Sequence, residues 1–145
     1  MPDELDAQKT IDIMRSQGWT LLRELDLPGR RKMRVMEDSN GNEMKVVFRG
    51  RDHNKTPGGG YWYGIYVDDF RRADLMVFWA TMRSLMLVVP SAFLRDVFDA
   101  QIAKIDDRGR WHVNIYFNRG GSSELVPVNY SKTYLLDQFR VMVAR

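Results

Sequence analysis

The chain has 145 residues, 44% hydrophobic and 28% charged, with 22 lysines and arginines against 19 acids for a net charge of +3. This fits one ordered domain, residues 1–145, and excludes a disordered or low-complexity protein. The absence of cysteine removes disulfides, thiolate metal sites and a cysteine nucleophile, and the longest apolar runs are only of strand length, so no membrane span is expected.

The opening MPDELDAQKT is acidic and lacks the basic-then-apolar order of a signal peptide, so a cytoplasmic protein is expected. Residues 6–17 carry Ile11, Ile13 and Met14 and stop at Gly18, which predicts a helix with a glycine end. A strand follows at 19–25. Strands at 32–36 and 44–49 flank EDSNGNE, where Asn40-Gly41 predicts a two-residue hairpin turn. TPGGG, residues 56–60, is a loop, and 61–67 an aromatic strand. The continuous apolar runs at 74–80 and 85–89 predict strands buried on both faces. Pro90 stops the second, and Ser91 caps a helix predicted to reach residue 104. A turn at 106–110 leads to strands at 111–117 and 125–128. Ser131 then caps a last predicted helix with Tyr134, Leu135, Phe139 and Val141 to Val143 on its apolar face. The order predicts an α/β fold, a single domain with a central mixed sheet flanked by helices.

A two-residue turn pairs Val35 with Val46 and Met33 with Phe48, and puts Met44 on the same core side. The other side then collects Arg30, Lys32, Arg34, Lys45, Arg49 and Arg51. Six cations on one face point to phosphate, and arginine's fork suits phosphate oxygens. The plainer reading is a solvated face paired with acids such as Asp68, Asp69 or Glu124. His53 and Lys55 extend the basic stretch. Tyr61, Trp62 and Tyr63 follow, as either base-stacking aromatics or a buried strand.

The same register sets Asp38 opposite Glu43, with Lys45 one pleat along. Two carboxylates and a lysine suit a Mg²⁺-dependent phosphodiester cleavage site, although a hairpin tip lacks the dry surround such chemistry needs. No other cofactor is expected. His53 and His112 show no metal-ligand spacing, TPGGGYW is no Walker loop, and no nucleophile–base pair stands out.

The stretches SQGWTLLREL, GRRKMRVMEDSNGNEMKVVFRGR and DLMVFWATMRSLMLVVPSAFL together resemble the restriction-endonuclease-like, PD-(D/E)xK, nucleases and related resolvases. The likeness spans residues 4 to 104 as an order of elements: helix into glycine–aromatic, strand, hairpin, strand, strand ending in proline, helix. It implies a restriction-endonuclease-like fold and DNA or RNA as partner. The family's acid and lysine would fall near Val47 and Arg49, and its preceding aspartate near Arg34, so the carboxylates are missing. Glu4 matches a supporting acid of some members. The resemblance therefore implies a nucleic-acid-binding domain that no longer cleaves, with a nuclease shifted to Asp38, Glu43 and Lys45 as one alternative. A protein-interaction domain of immunity or regulatory type is the other. A homodimer is a further option.

Overall fold

The computed structural model describes residues 2–51, 60–80, 85–100, 104–128 and 132–142. Helix α1 (Pro2–Ser16) ends as its sequence requires. Gly18 takes φ 96°, and the N–H groups of Gly18 and Trp19 return to the carbonyls of Arg15 and Met14, at 3.1 and 3.0 Å. This is a left-handed helix stop that satisfies the orphan carbonyls of the last turn. The chain then enters β1 (Thr20–Asp26), passes a turn at Pro28–Arg30, and forms the hairpin of β2 (Lys32–Glu37) and β3 (Glu43–Arg51).

Five further strands and two short helices follow before the C-terminal segment. They are β4 (Tyr61–Tyr66), α2 (Val67–Arg72), β5 (Leu75–Ala80), β6 (Leu85–Pro90), α3 (Ser91–Ala100), β7 (Arg110–Arg119) and β8 (Ser122–Pro127). The segment itself holds β9 (Tyr134–Leu135), a turn at Asp137–Phe139 and β10 (Arg140–Met142). The strands form two sheets. Six run in the order β1-β2-β3-β5-β6-β10, and four in the order β4-β7-β8-β9. Among the described residues only β3 and β5 pair in parallel, so the larger sheet is mixed.

The larger sheet buries both faces at its centre, and its alternation sorts residues between two cores. Met33, Val47, Met76, Phe78, Leu87 and Val89 face the smaller sheet, meeting Tyr61, Tyr63, Ile65, Val113, Ile115 and Phe117. Met36, Val46, Leu75, Val77 and Met86 face the other way, toward Met14 of α1. The layers are therefore helix, mixed sheet, second sheet. Helices α2 and α3 contribute Phe70, Leu94 and Val97 to the inter-sheet core. No helix among the described residues is long and apolar enough to cross a membrane.

Three expectations change. A second sheet, not helices, covers one face of the mixed sheet. The final segment is not a helix: Leu136 is buried between sheets, while β10 closes the β6 edge. The hairpin loop has three residues, not two. Asp38 pairs with Asn42, its N–H donating to the Asn42 carbonyl, while Gly41 sits at φ 84° and donates to the Asp38 carbonyl. The Asp38 carboxylate accepts from the N–H groups of Asn40 and Asn42, both at 2.9 Å, and stabilises this longer turn. The register accordingly shifts by one, to Arg34 opposite Val46 and Val35 opposite Lys45. Ser91 does begin α3, yet its buried hydroxyl has no partner among the described residues.

Candidate nucleic-acid interface

The one-residue register shift splits the expected basic face. Lys32 and Arg34 share the α1 side with Met36, while Lys45 and Arg49 alternate with Val46 and Phe48 onto the opposite side. Arg34 lies 4.8 Å above the Phe48 ring, with Nε 3.0 Å from Glu24 Oε2. Burial pulls its pKa down, against the opposing pull of Glu24. Lys32 is exposed beside Asp26, at 3.3 Å. Arg49 turns inward, where a guanidinium nitrogen donates to the Gly64 carbonyl of β4 at 2.8 Å. It therefore stitches the two sheets together, as Arg140 does elsewhere by donating to Ser123 Oγ and the Gly121 carbonyl. Lys45 alone of these cations is both described and openly exposed without an ion pair. The side chains of Arg30, Arg51 and Glu4 lie outside what is described, as do His53 and Lys55 altogether.

The expected acids also separate. Asp38 is held in its turn, and the Asn42 N–H keeps its carboxyl below the usual range. Glu37, not Asp38, lies opposite Glu43. Glu43 is in turn 3.4 Å from Arg23. Glu37, Glu43 and Lys45 thus share one face at an open hairpin tip. No cluster of three acids or histidines suited to a metal occurs among the described residues. The pairings expected of Asp69 and Glu124 exist with other arginines: Asp69 holds Arg31 at 2.9 Å, and Glu124 lies 3.8 Å from Arg119.

The aromatic run Tyr61–Trp62–Tyr63 divides as alternation requires. Tyr61 and Tyr63 are core residues, whereas Trp62 points outward and is 45% exposed. It stands on the outer face of the smaller sheet, where pairing places it beside Asn114, which in turn pairs with Val126. The adjoining rows carry His112 behind Gly64, and Tyr116 beside Glu124 and Leu135. Above this face an open cleft of about 690 Å³ is lined by Trp62, Lys104, Ile105, Asp106, Trp111, His112 and Val128.

One hydrogen-bond chain orients that cleft. The Trp62 indole N–H donates to His112 Nδ1 at 3.0 Å, so Nδ1 must be the bare nitrogen and Nε2 carries the proton toward Asp106 Oδ2 at 2.9 Å. Asp106 Oδ2 also accepts from Arg110 Nε at 2.8 Å, and Oδ1 from the N–H groups of Arg108 and Arg110. The Arg110 N–H foremost, then His112 and the other donors, hold the Asp106 carboxyl far below the usual carboxylate range. A carboxyl whose pKa is depressed in the folded state adds stability above its unfolded value of about 4 and loses it as pH falls lower. Asp106→Asn is therefore expected to destabilise at neutral pH, by an amount that shrinks in acid. Denaturant midpoints at the two pH values check this, and an equal deficit at both would refute it.

No protein-family model, curated protein or solved structure matches this chain.

Proposed function

We propose that the chain is a nucleic-acid-binding domain of restriction-endonuclease-like architecture that does not cleave its ligand. One observation carries the reading. At the centre of the mixed sheet, β3 runs parallel to β5, and Val47 and Arg49 of β3 turn inward beneath the second sheet. These are the positions the resemblance gives to the metal-binding acid and the lysine. The parallel return strand, the next strand ending at Pro90 and the helix directly after it follow the order on which that resemblance rests. A buried valine cannot bind a metal, and an arginine committed to a carbonyl cannot move a proton. The register sharpens the mismatch, since Arg34 pairs with Val46 rather than Val47.

The test is retardation and cleavage of single- and double-stranded DNA and RNA, at low and moderate salt, with and without Mg²⁺ or Mn²⁺. Expected is binding that weakens as salt rises, because bound phosphates release counterions, with no products. Lys45→Glu should weaken binding to every sequence and flatten the salt slope by about one. It is preferable to Arg49→Glu, which would break the link between the sheets. Absence of retardation in all conditions sinks the proposal and favours a protein partner.

A second reading is favoured by one arrangement, the Glu37–Glu43 pair with Lys45 further along the same face. This would be a Mg²⁺-dependent nuclease moved to the hairpin tip, with Glu37 in the place expected for Asp38. Metal-dependent products abolished by Glu43→Gln would establish it.

A further inference from the structure

Among the described residues, three of the five large apolar side chains that stand exposed, Trp62, Ile105 and Leu135, lie on or beside the outer face of the four-stranded sheet. No described element packs over that face, whereas its inner side is closed by the mixed sheet. The face is not simply apolar. Trp62 and Tyr116 are diagonal neighbours across β4 and β7, roughly 7–8 Å apart at the backbone. Between them lies Asn114, whose Oδ1 is shielded and lacks a hydrogen-bond partner among the described residues.

Charge distinguishes the candidate occupants. The two acids on the face are already matched, Asp106 by Arg110 and Glu124 by Arg119. Arg119 lies 4.4 Å over the Tyr116 ring, with its charge still 53% exposed. Lys104, on the rim of the cleft, has no ion pair among the described residues. An apolar protein surface would leave Lys104 unmatched. A nucleotide strand answers it, since phosphate takes the cations. A duplex keeps its bases stacked within itself and cannot place one in the cleft. Unpaired bases can, and a flat indole or phenol accepts any of them.

We infer that this face binds single-stranded nucleic acid, one base stacking on Trp62 in the cleft, the next on Tyr116, with Lys104 and Arg119 on the phosphates. The Trp62–His112–Asp106 chain sets the angle of the indole, so the stacking surface is held in place before the strand arrives. This rests on the nucleic-acid reading above but places contact on a different sheet from the hairpin.

The experiment is a titration of labelled oligo-dT, oligo-U and a duplex of equal length, followed by anisotropy and by tryptophan emission. Single strands should bind more tightly than the duplex and quench emission. Trp62→Ala should weaken single-strand binding roughly ten-fold or more while leaving duplex binding alone. Trp62→Phe should restore most of the loss, and Tyr116→Ala should weaken binding independently. Circular dichroism verifies folding. Should Trp62→Ala not fold, Tyr116→Ala and the quenching of the wild-type chain decide. Unchanged affinity in folded Trp62→Ala, or equal binding of duplex and single strands, overturns the inference and leaves the general nucleic-acid reading standing. Failure of both ligands to bind overturns the two together.

Discussion

Asp69→Ala is expected to destabilise the chain by about 3–5 kcal/mol, the usual cost of stranding one member of a buried ion pair. Asp69 is 1% exposed, and both its oxygens are used by one guanidinium: Arg31 Nε reaches Oδ2 at 3.0 Å and a terminal nitrogen reaches Oδ1 at 2.9 Å. Arg31 is also stacked 3.5 Å above the Tyr66 ring and donates to the Pro28 carbonyl. Burial alone would lower the Arg31 pKa, but Asp69 and Tyr66 more than offset it and leave it raised. The pair stabilises the place where the chain leaves one sheet for the other. Asp69 belongs to α2, the short link between β4 and β5, and Arg31 immediately precedes β2 of the mixed sheet. Without the carboxylate, a cation fixed by stacking remains in a mostly buried position. Replacing both residues, as Arg31→Met with Asp69→Leu, should recover much of the loss because no charge is then stranded. Urea unfolding of the three variants checks this. A single-variant loss under about 1 kcal/mol would show that water reaches the site and screens it.

Much of the fold was legible where one local signal sufficed. Gly18 announced the end of α1, because a left-handed stop tolerates few other residues. The unbroken apolar runs around Val77 and Leu87 announced central strands, because only burial on both faces permits them. Pairing was not legible. Alternation in β7 and β8 shows that one face is buried, but says nothing about which sheet buries it. Strand β4 follows β3 in the chain and yet leaves its sheet, so chain order misleads there. The segment from Tyr134 to Val141 spaces its apolar residues acceptably for a helix. The open edges of β6 and β8 convert it to short strands, and a two-sided tertiary demand of this kind overrides local pattern. Helix α2, at six residues, is too short to show a period at all.

The candidate site divides the same way. That Trp62 must point opposite to Tyr61 and Tyr63 is implicit in alternation, and pairing with β7 then decides which side is core. The split of the basic hairpin turned on a single residue of loop length. Asn40-Gly41 suggested the two-residue turn, while the Asp38 carboxylate, by accepting two backbone N–H groups, favours three. A shift of one residue moves the cations of one strand to the other face relative to those of its partner, so Arg34 and Arg49, expected side by side, lie on opposite sides of the sheet. The link between Asp106 and His112 joins a turn to the strand after it. It depends on the exact path of residues 106–110, which composition does not encode.

Gly50→Ala is expected to cost about 1–3 kcal/mol or more, the range for overfilling a packed site. Gly50 lies in the interior of β3, directly across from Trp79 of β5, on the α1 side of the mixed sheet. A Cβ at this position would fall closer than 3.0 Å to Cζ2, Cε2 and Cη2 of the Trp79 indole. The glycine is therefore explained by close approach of a ring, and its own φ makes no special demand. Relief by shifting β5 is blocked, because the Trp79 carbonyl accepts the Tyr63 hydroxyl at 2.7 Å across the inter-sheet core. The indole must swing out instead, exposing apolar surface and altering its emission. Trp79→Leu in the same chain should remove most of the penalty, so the two changes should be strongly non-additive. Strict additivity, or a Gly50→Ala chain as stable as the parent, would mean that the indole does not rest on this glycine.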